Sequence, residues 1–351
     1  MLQETVKVGI LGAGEISRYH IEGLRAAGGC EIQVVCARTA ASAQRLAAAY
    51  DIPHAEADVT AFLDRADLDA VVVATPADTH VALAGAALES GRAVLVQKPA
   101  ARSSRDAARI VETARRTGAL LSVSFMHRYF DEVAALRGML DDGRLGTVYS
   151  VRIRNATPGP AWSADYYRAP SDGKLAGVVA ELGVHGIDLA RYLVGEIRSV
   201  TAQARRVHPV RTLRDGSQVI SEVDDHVVAV YETETATVVH EMDYAEVAGT
   251  DRFTLEVHGT KGVAAVRGPR GALAIVEGPE GPEGPEGEEP VWRRPELAVS
   301  VLGERHHRHF LDQVRGAAAP DGTAEAAVAG LRVAEAVARS CATGQRVEVQ
   351  A

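Results

Sequence analysis

The stretch VKVGILGAGEIS, Val6 to Ser17, decides the fold of the first half of the chain. An apolar run of strand length ends at Gly12 and Gly14, and a helix-like stretch begins at once with Ile16. Glycines at a strand-to-helix junction allow a tight turn and bring the backbone close to a pyrophosphate at the helix N-terminus. Gly12, Gly14, Glu15 and Ile16 are therefore the expected dinucleotide contacts, set against the weaker reading of a plain strand-to-helix turn. Ser17 stands at the third position of the fingerprint, where glycine or alanine permits close helix–strand packing, so the departure is one oxygen atom.

Outward from this turn, Val6–Leu11, Ile32–Ala37, Ala70–Ala74 and Ala93–Val96 are short apolar runs alternating with the helical stretches Ile16–Ala27, Ala40–Tyr50, Thr79–Glu89 and Ser104–Thr117. Such alternation predicts the buried parallel strands of a doubly wound sheet, with Ser103 or Ser104 capping the last helix. The second strand ends in Cys36-Ala37-Arg38-Thr39 and offers no carboxylate for a ribose 2′-hydroxyl. Arg38 suits a 2′-phosphate or an adenine face, which favours NADP over NAD. A surface arginine at a strand edge is the equally open alternative.

Beyond Val123 the pattern changes. Thr147–Arg154, Val223–Glu232, Thr237–Met242 and Phe253–His258 alternate as half-exposed antiparallel strands do. A helix is predicted over Ala176–Leu193, and two more over His306–Val314 and Ala324–Cys341. The segment EGPEGPEGPEGEEP, Glu277 to Pro290, reads as a solvated loop because proline removes donors and the carboxylates repel. The expected fold is α/β: an N-terminal Rossmann dinucleotide-binding domain over residues 1–124, then a C-terminal α+β domain over 125–351 with an open, predominantly antiparallel mixed sheet.

A length of 351 residues favours two domains over one core. The net charge of −9 opposes a general affinity for nucleic acid or anionic lipid. Cys30, Cys36 and Cys341 form an odd, widely spaced set, so a reducing, cytoplasmic setting is expected. No secretory signal or membrane span is read from the chain. His306, His307 and His309 resemble a metal cluster, but adjacent histidines diverge on a helix and no cysteine or carboxylate completes the set. A solvated helix start without metal is the expectation there.

Three further motifs, Ala74-Thr75-Pro76 running on to His80, Gln97-Lys98-Pro99, and AELGVHGIDLARYL, occur in this order before LEVHGTKG. In this the chain resembles the glucose-fructose oxidoreductase, inositol dehydrogenase and rhizopine catabolism family over essentially its whole length. The resemblance implies a Rossmann domain, an open-faced second domain, and oxidation or reduction of a secondary carbinol on a sugar, cyclitol or glycoside. It implies cofactor contacts at Thr75, Pro76, His80, Gln97 and Lys98. The family's lysine motif is usually Glu-Lys-Pro, so Gln97 departs from it. Its carboxylate-x-x-x-histidine pair falls on Glu181 and His185, which a helix presents on one face, with Asp188 a turn further on.

Hydride transfer to or from a carbinol carbon needs a partner for the hydroxyl proton. His185 is the expected acid/base, Lys98 the group that polarises the substrate oxygen, with these roles exchangeable, and Glu181 the acceptor for a substrate hydroxyl or for His185. Arg128 and Trp162, with Tyr129, Tyr166 and Tyr167, suit sugar hydroxyls and faces, although tyrosines more often pack a core. Two other readings stay open: a redox-neutral enzyme that cleaves glycosides with a retained dinucleotide, and a non-catalytic dinucleotide- or sugar-sensing regulator. An open sheet face also predicts a homodimer or homotetramer.

Overall fold

The computed structural model describes residues 5–248, 252–268, 272–278 and 291–350. The Gly-Pro-Glu loop, apart from Glu277 and Gly278, lies outside the described residues. The chain divides into two compact units, Met1–Tyr129 with Ser300–Val328 and Phe130–Val299 with Ala329–Ala351.

In the first unit β1 (Val6–Leu11), β2 (Cys30–Cys36), β3 (His54–Glu56), β4 (Ala70–Val73), β5 (Ala93–Gln97) and β6 (Leu121–Ser124) form one sheet in the order β3-β2-β1-β4-β5-β6. Every pairing is parallel. All four residues of β4 are buried, as are the last four of β5, which explains their unbroken apolar sequence: helices cover both faces of such a sheet. The crossovers carry α1 (Glu15–Ala27), α2 (Ala40–Ala49), α3 (Val59–Leu63), α4 (Ala77–Glu89) and α5 (Ser104–Thr117). Side-chain oxygens of Thr39, Asp58 and Ser103 cap α2, α3 and α5.

The helix Glu304–Val314 belongs to this unit, whereas everything beyond residue 124 was expected in the second domain. The reason is packing: Phe310 and Leu311 join Ile21 and Leu24 of α1 in one core. The solvated histidine start is overturned by the same contact. His306 and His307 are buried against α1, where His307 bonds His20 and His306 bonds Tyr19.

The second unit contains α6 (Asp131–Asp141), β7 (Val148–Ala156), α7 (Val184–Val194), β8 (Ser199–Arg205), the hairpin β9 (Val210–Thr212) and β10 (Gln218–Ile220), β11 (His226–Glu232), β12 (Thr237–Asp243), β13 (Phe253–Gly259), β14 (Gly262–Gly268) and β15 (Leu273–Glu277). After α8 (Glu304–Val314) and α9 (Thr323–Thr343), β16 (Val347–Glu348) completes an eight-stranded sheet ordered β15-β14-β13-β7-β12-β11-β8-β16. Only β7 and β12 pair in parallel, so the sheet is mixed and mostly antiparallel.

One face of this sheet carries α7. Gly186 leaves room for His240 and the Asn155 amide, and Gly183 leaves room for Met242. The predicted helix over Ala176–Leu193 is not regular. A π-turn at Val179–Gly183 runs into α7, a one-residue irregularity that apolar spacing does not reveal. On the opposite face Arg154 reaches Glu241 at 3.4 Å, Asp243 at 3.7 Å and Glu246 at 2.7 Å. A guanidinium thus already serves the His226, Glu241 and Asp243 cluster, whose ligand-type atoms lie within 4.8 Å of one another. Among the described residues no helix is long and apolar enough to cross a membrane.

Candidate active site

The sheet order of the first unit reverses between β1 and β4, and ligands of open α/β sheets bind at the carboxyl ends of strands beside such a switch point. Gly12 follows β1 there with φ of +120°, its N–H donating to Cys36 O at 2.8 Å. A Cβ at Gly12 would strike Ala74 O, so the strand-to-helix turn depends on glycine. Gly14 is the N-cap of α1, makes no side-chain cap bond, and has open space where a Cβ would stand. The first turn with Glu15 and Ile16 is therefore shaped to receive an anion, which fits a dinucleotide pyrophosphate. Ser17 packs beneath, fully buried, with no hydrogen-bond partner for its Oγ among the described residues.

Thr75 and Pro76 close β4, the other strand of the switch point. His80 on α4 ties this turn to the next one, with Nε2 2.8 Å from Thr75 O and Nδ1 2.8 Å from Pro99 O. Gln97 is buried at the end of β5, and its Oε1 accepts the Lys98 N–H at 2.6 Å. The Lys98–Pro99 peptide is cis. Because Gln97 pairs with Ser124 across β5 and β6, the chain after β6 runs beside the lysine. Burial first, then the Lys98 charge, pushes the His127 imidazole down to about 3. Arg128 follows, its guanidinium 5.6 Å over the Phe125 ring. His127 was not singled out from sequence, and nothing in its local pattern marks it.

At the end of β2, Arg38 is exposed. The neighbouring Cys36 thiol is raised to about 11 by burial and then by the charges of Glu56 and Asp58, so carboxylates as well as a guanidinium stand near this strand end.

In the second unit Glu181 lies in the π-turn and His185 in the first turn of α7, with His185 and Asp188 buried. His240 and Met242 face Gly186 and Gly183, and the same alternation carries Tyr244 to the Glu181 end of the helix. Burial, then the Glu181 carboxylate, then Tyr166 and Tyr167, hold the Tyr244 phenol far above its ordinary value, so it stays an O–H donor. Tyr244 was missed from sequence; the period-two pattern of β12, carried two residues further, is the signal that could have found it. Trp162 is half exposed, its ring edge-on to Tyr166 at 5.6 Å and beneath the Arg214 guanidinium at 5.5 Å. Lys98 and Arg128 thus belong to the first unit, and Trp162, Glu181 and His185 to the second.

A parallel sheet with a glycine-lined anion cradle, joined in one chain to an open mixed sheet bearing a carboxylate–histidine turn, defines a two-domain dinucleotide-binding oxidoreductase. Residues 6–125 match the oxidoreductase family with an NAD-binding Rossmann fold, and residues 133–265 match the GFO/IDH/MocA C-terminal domain. The chain is 31% identical over 354 residues to inositol 2-dehydrogenase 2 of Saccharopolyspora erythraea, covering 99% of this chain and 96% of that one. It is 30% identical to an inositol 2-dehydrogenase of Rhizobium meliloti, covering 76% and 77%. Among solved structures, a putative myo-inositol dehydrogenase from Sinorhizobium meliloti superposes with a TM-score of 0.78 at 26% identity, covering 99% of this chain and 100% of that one. A levoglucosan dehydrogenase in complex with NADH and L-sorbose shares the fold, with a TM-score of 0.87 at 21% identity and 99% coverage of both chains. This chain belongs to the GFO/IDH/MocA oxidoreductase family.

Proposed function

We propose that the protein exchanges a hydride between a nicotinamide dinucleotide and a secondary alcohol or ketone of a sugar, cyclitol or glycoside. The observation that carries this is the place of Lys98: it ends β5 on the carboxyl edge of the sheet, one strand from the Thr75 turn at the switch point. The relatives named inositol 2-dehydrogenase and D-apiose dehydrogenase support the substrate class.

Bound dinucleotide would supply the hydride acceptor or donor. The chain's own residues manage the proton and the orientation. His185 takes the hydroxyl proton, or returns it in the reverse direction, while the Lys98 ammonium stabilises negative charge on the substrate oxygen. Glu181 accepts from a neighbouring hydroxyl, the Tyr244 phenol donates to another, and Trp162 and Arg128 flank the ring. Gly12, Gly14, Glu15, Ile16, Thr75, Pro76, His80 and Gln97 shape the cofactor side.

Two features at the end of β2 act in opposite senses on cofactor choice. Arg38 favours a 2′-phosphate and hence NADP, whereas Glu56 and Asp58 oppose that charge and favour NAD. On the sheet face away from α7, Val228 and Val239 are exposed, which supports burial in a homodimer or homotetramer. The three free cysteines are compatible with a cytoplasmic setting.

The test is a steady-state absorbance assay with NAD or NADP against a panel of sugars, cyclitols and glycosides. Lys98→Ala and His185→Ala should each lower kcat by about 100-fold or more in a folded protein. Unchanged turnover in the lysine variant would remove Lys98 from the mechanism. Glycoside cleavage without net absorbance change would replace the dehydrogenase reading with a redox-neutral one.

A further inference from the structure

Behind the Lys98 turn, three buried side chains and the carbonyl of Gly303 determine where their own hydrogens lie. Gly303 O is a carbonyl and only accepts, so His307 Nδ1, 2.7 Å away, carries a hydrogen. A neutral His307 then presents a lone pair at Nε2, and His20 Nδ1, 2.9 Å from it, must be the donor. His20 is left with a bare Nε2, and what faces it at 3.4 Å is the amide nitrogen of Gln97, which only donates. The other end of that amide, Oε1, accepts the backbone N–H of Lys98. Each group donates in one direction, from Lys98 through Gln97, His20 and His307 to Gly303.

The surroundings keep this column uncharged. Burial pushes His307 down to about 4 and, aided by His307, pushes His20 well below its ordinary value. Tyr19 packs edge-on to His20 and bonds His306, which is itself held neutral by burial and stacked on Tyr129. The packing is built for the column as well. A Cβ at Gly23 of α1 would run into His307 Nδ1 and approach Gly303 O, so glycine makes the space for that ring. The ring nitrogens of His20 and His307 that meet are spent on each other.

We propose that Gln97, His20 and His307 are positioning residues for Lys98: a neutral, one-way hydrogen-bond column that holds the peptide carrying the lysine and matches an amide, not a carboxylate, at position 97. An ionised carboxylate has no hydrogen for His20 Nε2, so it would either leave two acceptors facing each other or draw a proton into a site that burial keeps neutral. The departure of Gln97 from the Glu-Lys-Pro pattern is thereby tied to the histidines behind it. This inference rests on the role proposed above for Lys98.

Long-range 15N–1H correlation spectra of the full-length protein, labelled at the histidine nitrogens, test it near neutral pH. Expected are two neutral imidazoles, His20 and His307, each with the hydrogen on Nδ1, although the free side chain prefers Nε2. Gln97→Glu should give His20 a second hydrogen, shift the pH profile of kcat, and lower kcat at neutral pH by about tenfold with a smaller change in KM. Hydrogen on Nε2 of either wild-type ring, or an unaltered His20 together with unchanged kcat in Gln97→Glu, overturns the column. If Gln97→Glu does not fold, the wild-type tautomers decide. A Lys98→Ala variant that retains full turnover alongside the expected tautomers would remove the catalytic reading and leave the column standing.

Discussion

Gly186 of α7 lies so close to His240 of β12 that a methyl group on the glycine would collide with the imidazole. His240 has little freedom to yield, because Tyr231 Oη is 2.9 Å from Nδ1 and Asn155 Oδ1 is 3.1 Å from Nε2. Gly186→Ala should therefore cost about 1–3 kcal/mol through overpacking and, by displacing its neighbour His185, lower kcat/KM. Gly330→Ala is the control. A Cβ there meets Ile187 at 3.7 Å, an ordinary contact, so helix propensity should make it neutral or stabilising by about 0.5–1 kcal/mol. Urea denaturation of the two variants reads the difference.

Ser17 carries a hydroxyl into a fully buried position without a hydrogen-bond partner among the described residues. Ser17→Ala removes that desolvated oxygen and leaves the backbone turn intact. The denaturation midpoint should rise, by an amount worth up to about 1 kcal/mol, with dinucleotide affinity unchanged. A marked loss of stability would mean that the hydroxyl is bonded in solution.

Stability should fall in mild acid. His307 titrates near 6.5 in the unfolded chain and at about 4 when folded. Between these values the unfolded state binds more protons, so stability is fully present above pH 6.5 and declines as pH drops toward 4. This residue alone contributes on the order of 3 kcal/mol across that window. His20, His127 and His306 act in the same direction. Proton uptake on unfolding, measured by calorimetry at about pH 5.5 in buffers of different ionisation enthalpy, should exceed one per chain. Uptake near zero would contradict the buried neutral histidines.

The proposed role of Arg38 in the choice between the two dinucleotides is open to direct test. Arg38→Ala should lower kcat/KM for NADP by about tenfold and change NAD by less than about threefold, because a guanidinium pairs with a 2′-phosphate and finds no such charge on NAD. Equal losses with both cofactors would instead place the arginine on the adenine face.

Local pattern alone determined the parallel sheet, since strands buried on both faces must be apolar throughout, as Ala70–Val73 is. It marked the glycine turn as well, because glycines between an apolar run and a helix-like stretch permit tight turning, while the φ of +120° at Gly12 and the approach of Ala74 O are what tertiary structure added. The alternation of β11, β12 and β13 announced a one-sided sheet, and ordered short motifs led to Lys98, Glu181 and His185. Tertiary structure decided what surrounds these residues. His306 and His307 read as a solvated helix start and are buried, because the helix that covers them is almost three hundred residues away in the chain. Gln97 read as a lost acid, and its partner His20 lies on a helix that sequence spacing does not connect to β5. The π-turn under Glu181 and the arrival of Tyr244 beside it have the same origin. Spacing along a chain reports which face a side chain occupies, whereas burial, protonation and hydrogen-bond direction depend on the groups that folding brings to that face.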